Sequence, residues 1–170
     1  MEVIQTVMAN KNKEKGKTFE RHMANYLSEK YSESFVRNID SGSYTGGKNC
    51  SRKNSLTTNQ WQNRRGDIIG PDGWNINIEV KNYADLPFHQ LFTRCKQLDT
   101  WIEQLEQVSC PGDVDIIFFK ITRKGQYVCV KHYPCLDTSN ALPYRDYFIF
   151  DLDTFLEKNA EPLKLACTQV

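Results

Sequence analysis

No stretch of this 170-residue sequence is apolar over the roughly 18–20 residues that a membrane-spanning helix needs. The opening residues, Met1 to Val7, lack the basic start and long apolar core of a secretory leader. The expected setting is therefore the cytoplasm, or a host-cell interior if the source is viral, and not a secreted state. There is no Cys-x-x-Cys pair, which argues against a structural zinc site. Cys129, His132 and Cys135 are evenly spaced, but they lie in a strand-like run where a period of two sends His132 to the opposite face from both. Without a leader, all six cysteines read as reduced thiols. Internal repeats and domain linkers are also missing, so one domain over 1–170 is expected. Net charge is nearly absent at +1, which taken alone speaks against a nucleic-acid partner.

What is present begins with an uneven distribution of that charge. Residues 1–65 hold 12 Lys and Arg against 6 Asp and Glu, and the remainder holds 10 against 15. A basic half beside an acidic half fits an anionic partner, and it also fits a solvated basic surface. Hydrophobic residues at 39% and charged residues at 25% are ordinary for a globular chain able to build its own core.

Apolar spacing predicts a helix over about 13–31 through Phe19, Met23, Tyr26 and Leu27, with 1–12 as a loosely docked lead-in. Strands are expected at Phe35–Ile39, at Gly66–Ile69 and at Trp74–Asn82. The second and third of these form a hairpin about the Gly70–Gly73 turn. A second amphipathic helix is expected over about 94–108. A nearly continuous apolar strand from Val114 to Thr122 and another over 127–133 follow, then an edge strand near Tyr147–Phe150 and a short last helix over 153–159. Residues 40–65 are polar and basic, with Lys48, Arg52, Lys53, Arg64 and Arg65 and no acid after Asp40. So long a polar insertion is either functional or a mobile surface loop.

The chemistry concentrates at Asp67, Glu79 and Lys81. Glu79 and Lys81 share a strand face, opposite Ile76, Ile78 and Val80. Folding the hairpin brings Asp67 to within a residue or two of the position opposite Glu79. Two converging carboxylates repel unless a cation separates them. A hard ion such as Mg²⁺ suits them, since it takes one or two carboxylates plus waters and phosphate. A lysine beside it can orient a water or stabilise charge on a phosphate. An acid two residues before a lysine is expected by chance about 1.7 times in such a chain and occurs once, so the pair by itself carries nothing. An ion pair on the open face of an antiparallel sheet accounts for the same residues.

Several segments in order resemble the PD-(D/E)XK nuclease superfamily, and within it the archaeal-type Holliday-junction resolvases. They are Lys15 to Arg21 in the first helix, Val36-Arg37, Ser41-Gly42, Gly66 to Ile69, Ile78 to Lys81, and Ile117 to Lys120. The resemblance implies a restriction-endonuclease-like αβββαβ core over about 13–133, an α/β fold with a mixed central sheet flanked by helices. The insertion 40–65 and the appendage 134–170 have no counterpart in it. It implies a metal-dependent endodeoxyribonuclease of recombination and repair that cuts four-way junctions to 5′-phosphate and 3′-hydroxyl ends. Mg²⁺ is the implied ion, with Mn²⁺ substituting, and a homodimer is implied by the two matching nicks a symmetric junction needs. Glu20, Asp67, Glu79 and Lys81 take the catalytic positions. Asp67, Glu79 and the Val80 carbonyl would hold the metal, with Glu20 reaching it through water. Lys15, Arg21, Arg37, Ser41, Ser43, Arg64, Arg65 and Lys120 would touch DNA. Asp72 follows Pro71 but sits inside the turn, so Asp67 and not Asp72 is taken as the first acid. A restriction-like or homing endonuclease of the same superfamily, and a non-catalytic DNA-binding module of the same fold, are the alternatives.

Overall fold

The computed structural model describes residues 2–39 and 65–168, with side chains from residue 14 onward. Among these, helix α1 (Glu2–Tyr31) leads into strands β1 (Val36–Arg37), β2 (Ile68–Ile69) and β3 (Ile76–Tyr83). A 3₁₀ turn at Phe88–Phe92 and helix α2 (Lys96–Val108) precede β4 (Val114–Ile121) and β5 (Gly125–Lys131). Strands β6 (Leu142–Tyr144) and β7 (Tyr147–Asp151) and helix α3 (Leu152–Thr168) complete the chain. The strands form one sheet in the order β1-β2-β3-β4-β5-β7-β6. Only β3 and β4 pair in parallel, and α2 makes the crossover between them. This is the mixed α/β sheet with flanking helices expected of a restriction-endonuclease-like fold.

The sheet buries both faces by alternation. Ile76, Ile78 and Val80 of β3 join Ile116 and Phe118 of β4 in a core with Phe19, Met23 and Leu27 of α1 and Phe155 and Leu156 of α3. Ile117, Phe119 and Ile121 project the other way, onto Leu98, Trp101, Ile102 and Leu105 of α2. Each fully buried side chain of this size contributes about 1.5–3 kcal/mol. The apolar stripe of α2 is thus committed to the chain's own core and is not free for a dimer contact.

Three features differ from expectation, each for a physical reason. Helix α1 runs back to Glu2, because residues 2–13 hold neither Gly nor Pro and nothing local stops the helix. It ends where Ser32 turns to a positive φ of 54°. Strand β7 is interior, because the three-residue β6 covers its outer edge. Helix α3 passes through Pro162 to Thr168, where a stop near Asn159 was expected. The stripe of Leu156, Leu163 and Cys167 stays buried across that proline, and the buried Asn159 amide bonds both backbone groups of Asp137. The far end of α3 also grips the hairpin, since the Asn75 amide donates to the Cys167 carbonyl at 2.8 Å. From the other side Trp74 packs edge-on against Tyr31 and Phe35 and donates its indole N–H to Glu33 at 2.9 Å. No helix among the described residues is long and apolar enough to cross a membrane.

Candidate active site

The hairpin sets the position of the first acid through three backbone contacts. Gly66 has φ +64°, and a Cβ placed on it would lie 2.7 Å from the Ile78 carbonyl oxygen, so only glycine lets the chain approach β3 this closely. The Asp67 amide then donates to that same carbonyl at 2.7 Å, and the Asp67 carbonyl accepts from the Asn38 amide at 2.8 Å. The Asp67 carboxylate accepts the Val80 amide at 2.8 Å. With Ile68 registered on Ile78, Asp67 stands across from Glu79. On an extended strand one residue's N–H and C=O point to the same side. The Val80 carbonyl therefore faces the same edge, where the two-residue β2 has already ended.

Glu79 and Lys81 project from the opposite face to Ile78 and Val80, toward α2. The Lys81 ammonium lies 2.5 Å from the Glu79 carboxylate and 2.8 Å from the Gln104 side-chain oxygen. Both Glu79 and Lys81 are mostly buried, at 16% and 14% side-chain exposure. Burial, then the neighbouring Asp67, push the Glu79 carboxyl up to about 7, with a smaller push from Glu20 and with Lys81 opposing. Glu20 approaches from α1, and its carboxylate is held by the Arg37 guanidinium at 2.5 Å.

Glu79 thus carries a carboxyl whose charge the site disfavours, because it is desolvated beside other acids even with a lysine bound. That imbalance fits a cation at Asp67 and Glu79. Among the described residues no group of three or more His, Cys, Asp or Glu side chains forms a ready cage. A two-carboxylate site completed by a carbonyl, waters and a phosphate suits Mg²⁺ better than zinc.

The other expected contacts divide into three groups. Lys15 and Arg21 lie exposed on α1, and Lys120 lies exposed on β4 with its ammonium 5.9 Å from the Phe19 ring. Arg37 is committed to Glu20, an arrangement that spacing alone did not reveal. Arg65 is 7% exposed and its guanidinium is paired with the buried Asp113, so the structure places it inside the fold and not on a DNA-facing surface. Ser41, Ser43 and Arg64 lie outside the described residues, as does most of the basic insertion. Asp72 is exposed in the turn closed by the Trp74 amide and the Pro71 carbonyl at 3.1 Å, away from Glu79. Gln104 and Asn38 were not anticipated. Gln104 follows the buried Trp101 by three positions and looks like an ordinary exposed helix residue until β3 is placed beside α2.

Residues 11–164 match the family described as "Phage putative PDDEXK endonuclease". No curated protein and no solved structure matches the chain. PD-(D/E)XK nucleases generally use divalent metal ions, in keeping with the charge imbalance at Glu79. The match covers nine-tenths of the sequence, and the chain belongs to this phage PDDEXK endonuclease family within the PD-(D/E)XK superfamily.

Proposed function

We propose that the protein is a Mg²⁺-dependent DNA endonuclease, with Mn²⁺ able to substitute, and that branched four-way junctions are its favoured substrate. The observation that carries the metal-dependent chemistry is Asp67 set across from Glu79, with Lys81 on the Glu79 side chain and the Glu79 carboxyl pushed up by its acidic, desolvated surroundings. Support for the junction comes from the order of motifs shared with the archaeal-type resolvases.

Asp67 and Glu79 would hold the ion with the Val80 carbonyl, and Glu20 would contribute through water. When bound, the ion supplies Lewis-acid stabilisation of charge on the phosphate oxygens. Lys81 orients the attacking water through its ammonium and stabilises developing negative charge, with Gln104 fixing where that ammonium sits. Arg37 holds the Glu20 carboxylate in place through their ion pair. In-line attack would join the water oxygen to phosphorus and break the P–O3′ bond, so the phosphate stays on the 5′ oxygen of the downstream nucleotide and the departing 3′ oxygen takes up a proton. A symmetric junction calls for two such cuts, and a homodimer would supply them.

Cleavage of a four-way junction is compared with cleavage of a linear duplex carrying the same arms, with Mg²⁺ present. Paired symmetric nicks in the junction alone are expected, and Glu79→Gln should abolish them while leaving junction binding. Equal cutting of the linear duplex would remove the junction preference and favour a restriction-like or homing activity. Absence of cutting on every DNA tested, with Mg²⁺ or Mn²⁺, would leave a non-catalytic binding module.

A further inference from the structure

A row of three polar side chains crosses one end of the sheet. Register sets Asn82 of β3 beside Lys120 of β4, and Lys120 beside Gln126 of β5. In-register neighbours share a face. Two residues back along the row lie Val80, Phe118 and Val128, all buried with Phe19 and Met23 of α1. The polar row therefore faces α1 where the apolar core stops. Opposite it stand Lys15, Phe19 and His22, and the two sets enclose a cleft of about 640 Å³. A second cavity of about 440 Å³ shares Asn82 with it and reaches Lys81 and Gly16. The second cavity therefore borders the cleft at Asn82 and the candidate active site at Lys81.

Its lining defines what it can take. Lys15 and Lys120 are exposed cations suited to phosphate. The acid in the lining, Glu14, already pairs with Arg21 at 3.3 Å. His22 is exposed, and its ring stacks 6.1 Å from Phe19 and 6.2 Å from Tyr26, nearly parallel to the latter. That gives a stiffened flat face at the cleft. The Gln126 amide oxygen is buried and has no hydrogen-bond partner among the described residues. A buried acceptor without a donor is an unmet demand, and because the Gln126 side chain lines the cleft, a turn of its amide toward the cleft lets a ligand N–H satisfy it. Cations for phosphate, an aromatic face and an open amide together match a nucleotide.

We infer that this cleft receives one unpaired nucleobase of the DNA strand whose phosphate lies at Lys81. The base stacks on His22 and hydrogen-bonds to Gln126, and its flanking phosphates meet Lys15 and Lys120. The inference rests on the nuclease reading and narrows it. The substrate must offer an extruded or single-stranded base beside the cut, as a branch centre does when a pair opens.

The test uses the full chain with Ca²⁺ in place of Mg²⁺. Binding of a duplex interrupted by a short single-stranded gap is compared with binding of the continuous duplex of the same sequence. A preference of about tenfold for the gap is expected from one stacked base. His22→Ala and Gln126→Ala should each bring that preference close to parity, and an abasic nucleotide at one position of the gap should do the same with the wild type. His22 is exposed, so its replacement does not threaten folding if Gln126→Ala proves unstable. Deoxyadenosine monophosphate should bind far more weakly than the gapped DNA, and equal binding would make the cleft a free-nucleotide site and overturn the inference. If the wild type cuts DNA but binds gapped and continuous duplexes equally, the cleft fails and the nuclease stands. If the wild type neither binds nor cuts any DNA, both readings fail together.

Discussion

Replacing Glu79 with glutamine should make the metal-free protein more stable, although it removes an ion pair. The Glu79 carboxyl is raised from an ordinary 4.5 to about 7 by burial and by Asp67, after the opposing pull of Lys81 is included. Between those two values the folded state holds a proton that the unfolded state has lost, so stability falls as pH rises through this window. Once pH exceeds about 7 the full cost is present, about 3 kcal/mol for a carboxyl raised from 4.5 to about 7. Glutamine carries no charge and escapes that cost. For a chain of this length the gain corresponds to roughly 6–12 °C in Tm, at about 2–4 °C per kcal/mol. The assay is urea unfolding of wild type and Glu79→Gln in EDTA near pH 8 and again near pH 5. The difference should be about 3 kcal/mol at the higher pH and shrink to about 1 kcal/mol or less at the lower. Added Mg²⁺ should raise the stability of the wild type near pH 8 more than that of the variant. A variant no more stable than wild type at the higher pH would refute the claim that desolvation and carboxylate repulsion outweigh the lysine.

Gly66→Ala should destabilise the fold by at least about 1–2 kcal/mol from its left-handed backbone alone, with a further cost from the clash at Ile78, and should abolish cleavage by displacing Asp67; denaturation and a nicking assay read both. Arg65→Ala should cost about 3–5 kcal/mol by stranding the buried Asp113, while the salt dependence of DNA binding keeps its slope. A flatter slope in a folded Arg65→Ala protein would return that arginine to the DNA surface. Gln104→Ala should lower kcat about tenfold or more with KM little changed, because it loosens Lys81 without touching substrate, and Gln104→Asn should fail to restore the rate. Equal loss in kcat and in thermal stability would mark Gln104 as a purely structural contact.

The hairpin acids were legible because a strand's period of two is rigid. Once Ile76, Ile78 and Val80 were read as inward, Glu79 and Lys81 had to share the other face, and the tight turn had to bring Asp67 near. The α2 stripe was legible for the same reason at a period of 3.6. Contacts between elements distant in sequence left no such trace. The Arg65–Asp113 pair spans 48 residues, and the Lys81–Gln104 contact depends on how far α2 leans over β3. Arg65 looked like part of a basic loop because its five-residue neighbourhood is polar, whereas its burial is decided by an aspartate far along the chain. Helix α3 was underestimated because a proline is a strong local stop signal, and here the buried stripe beyond it outweighs the lost hydrogen bond.

Strand β3 carries different duties on its two sides, with Glu79 and Lys81 on one and Val80 and Asn82 on the other. A single-residue insertion or deletion inside 76–83 would exchange the sides, driving an acid and a lysine into the α1 core and turning valine and isoleucine toward the candidate active site. Natural length variation among relatives should therefore collect in the Gly70–Asn75 turn and stay out of β3. There the spacing between residues, more than their identities, is what inheritance has to preserve.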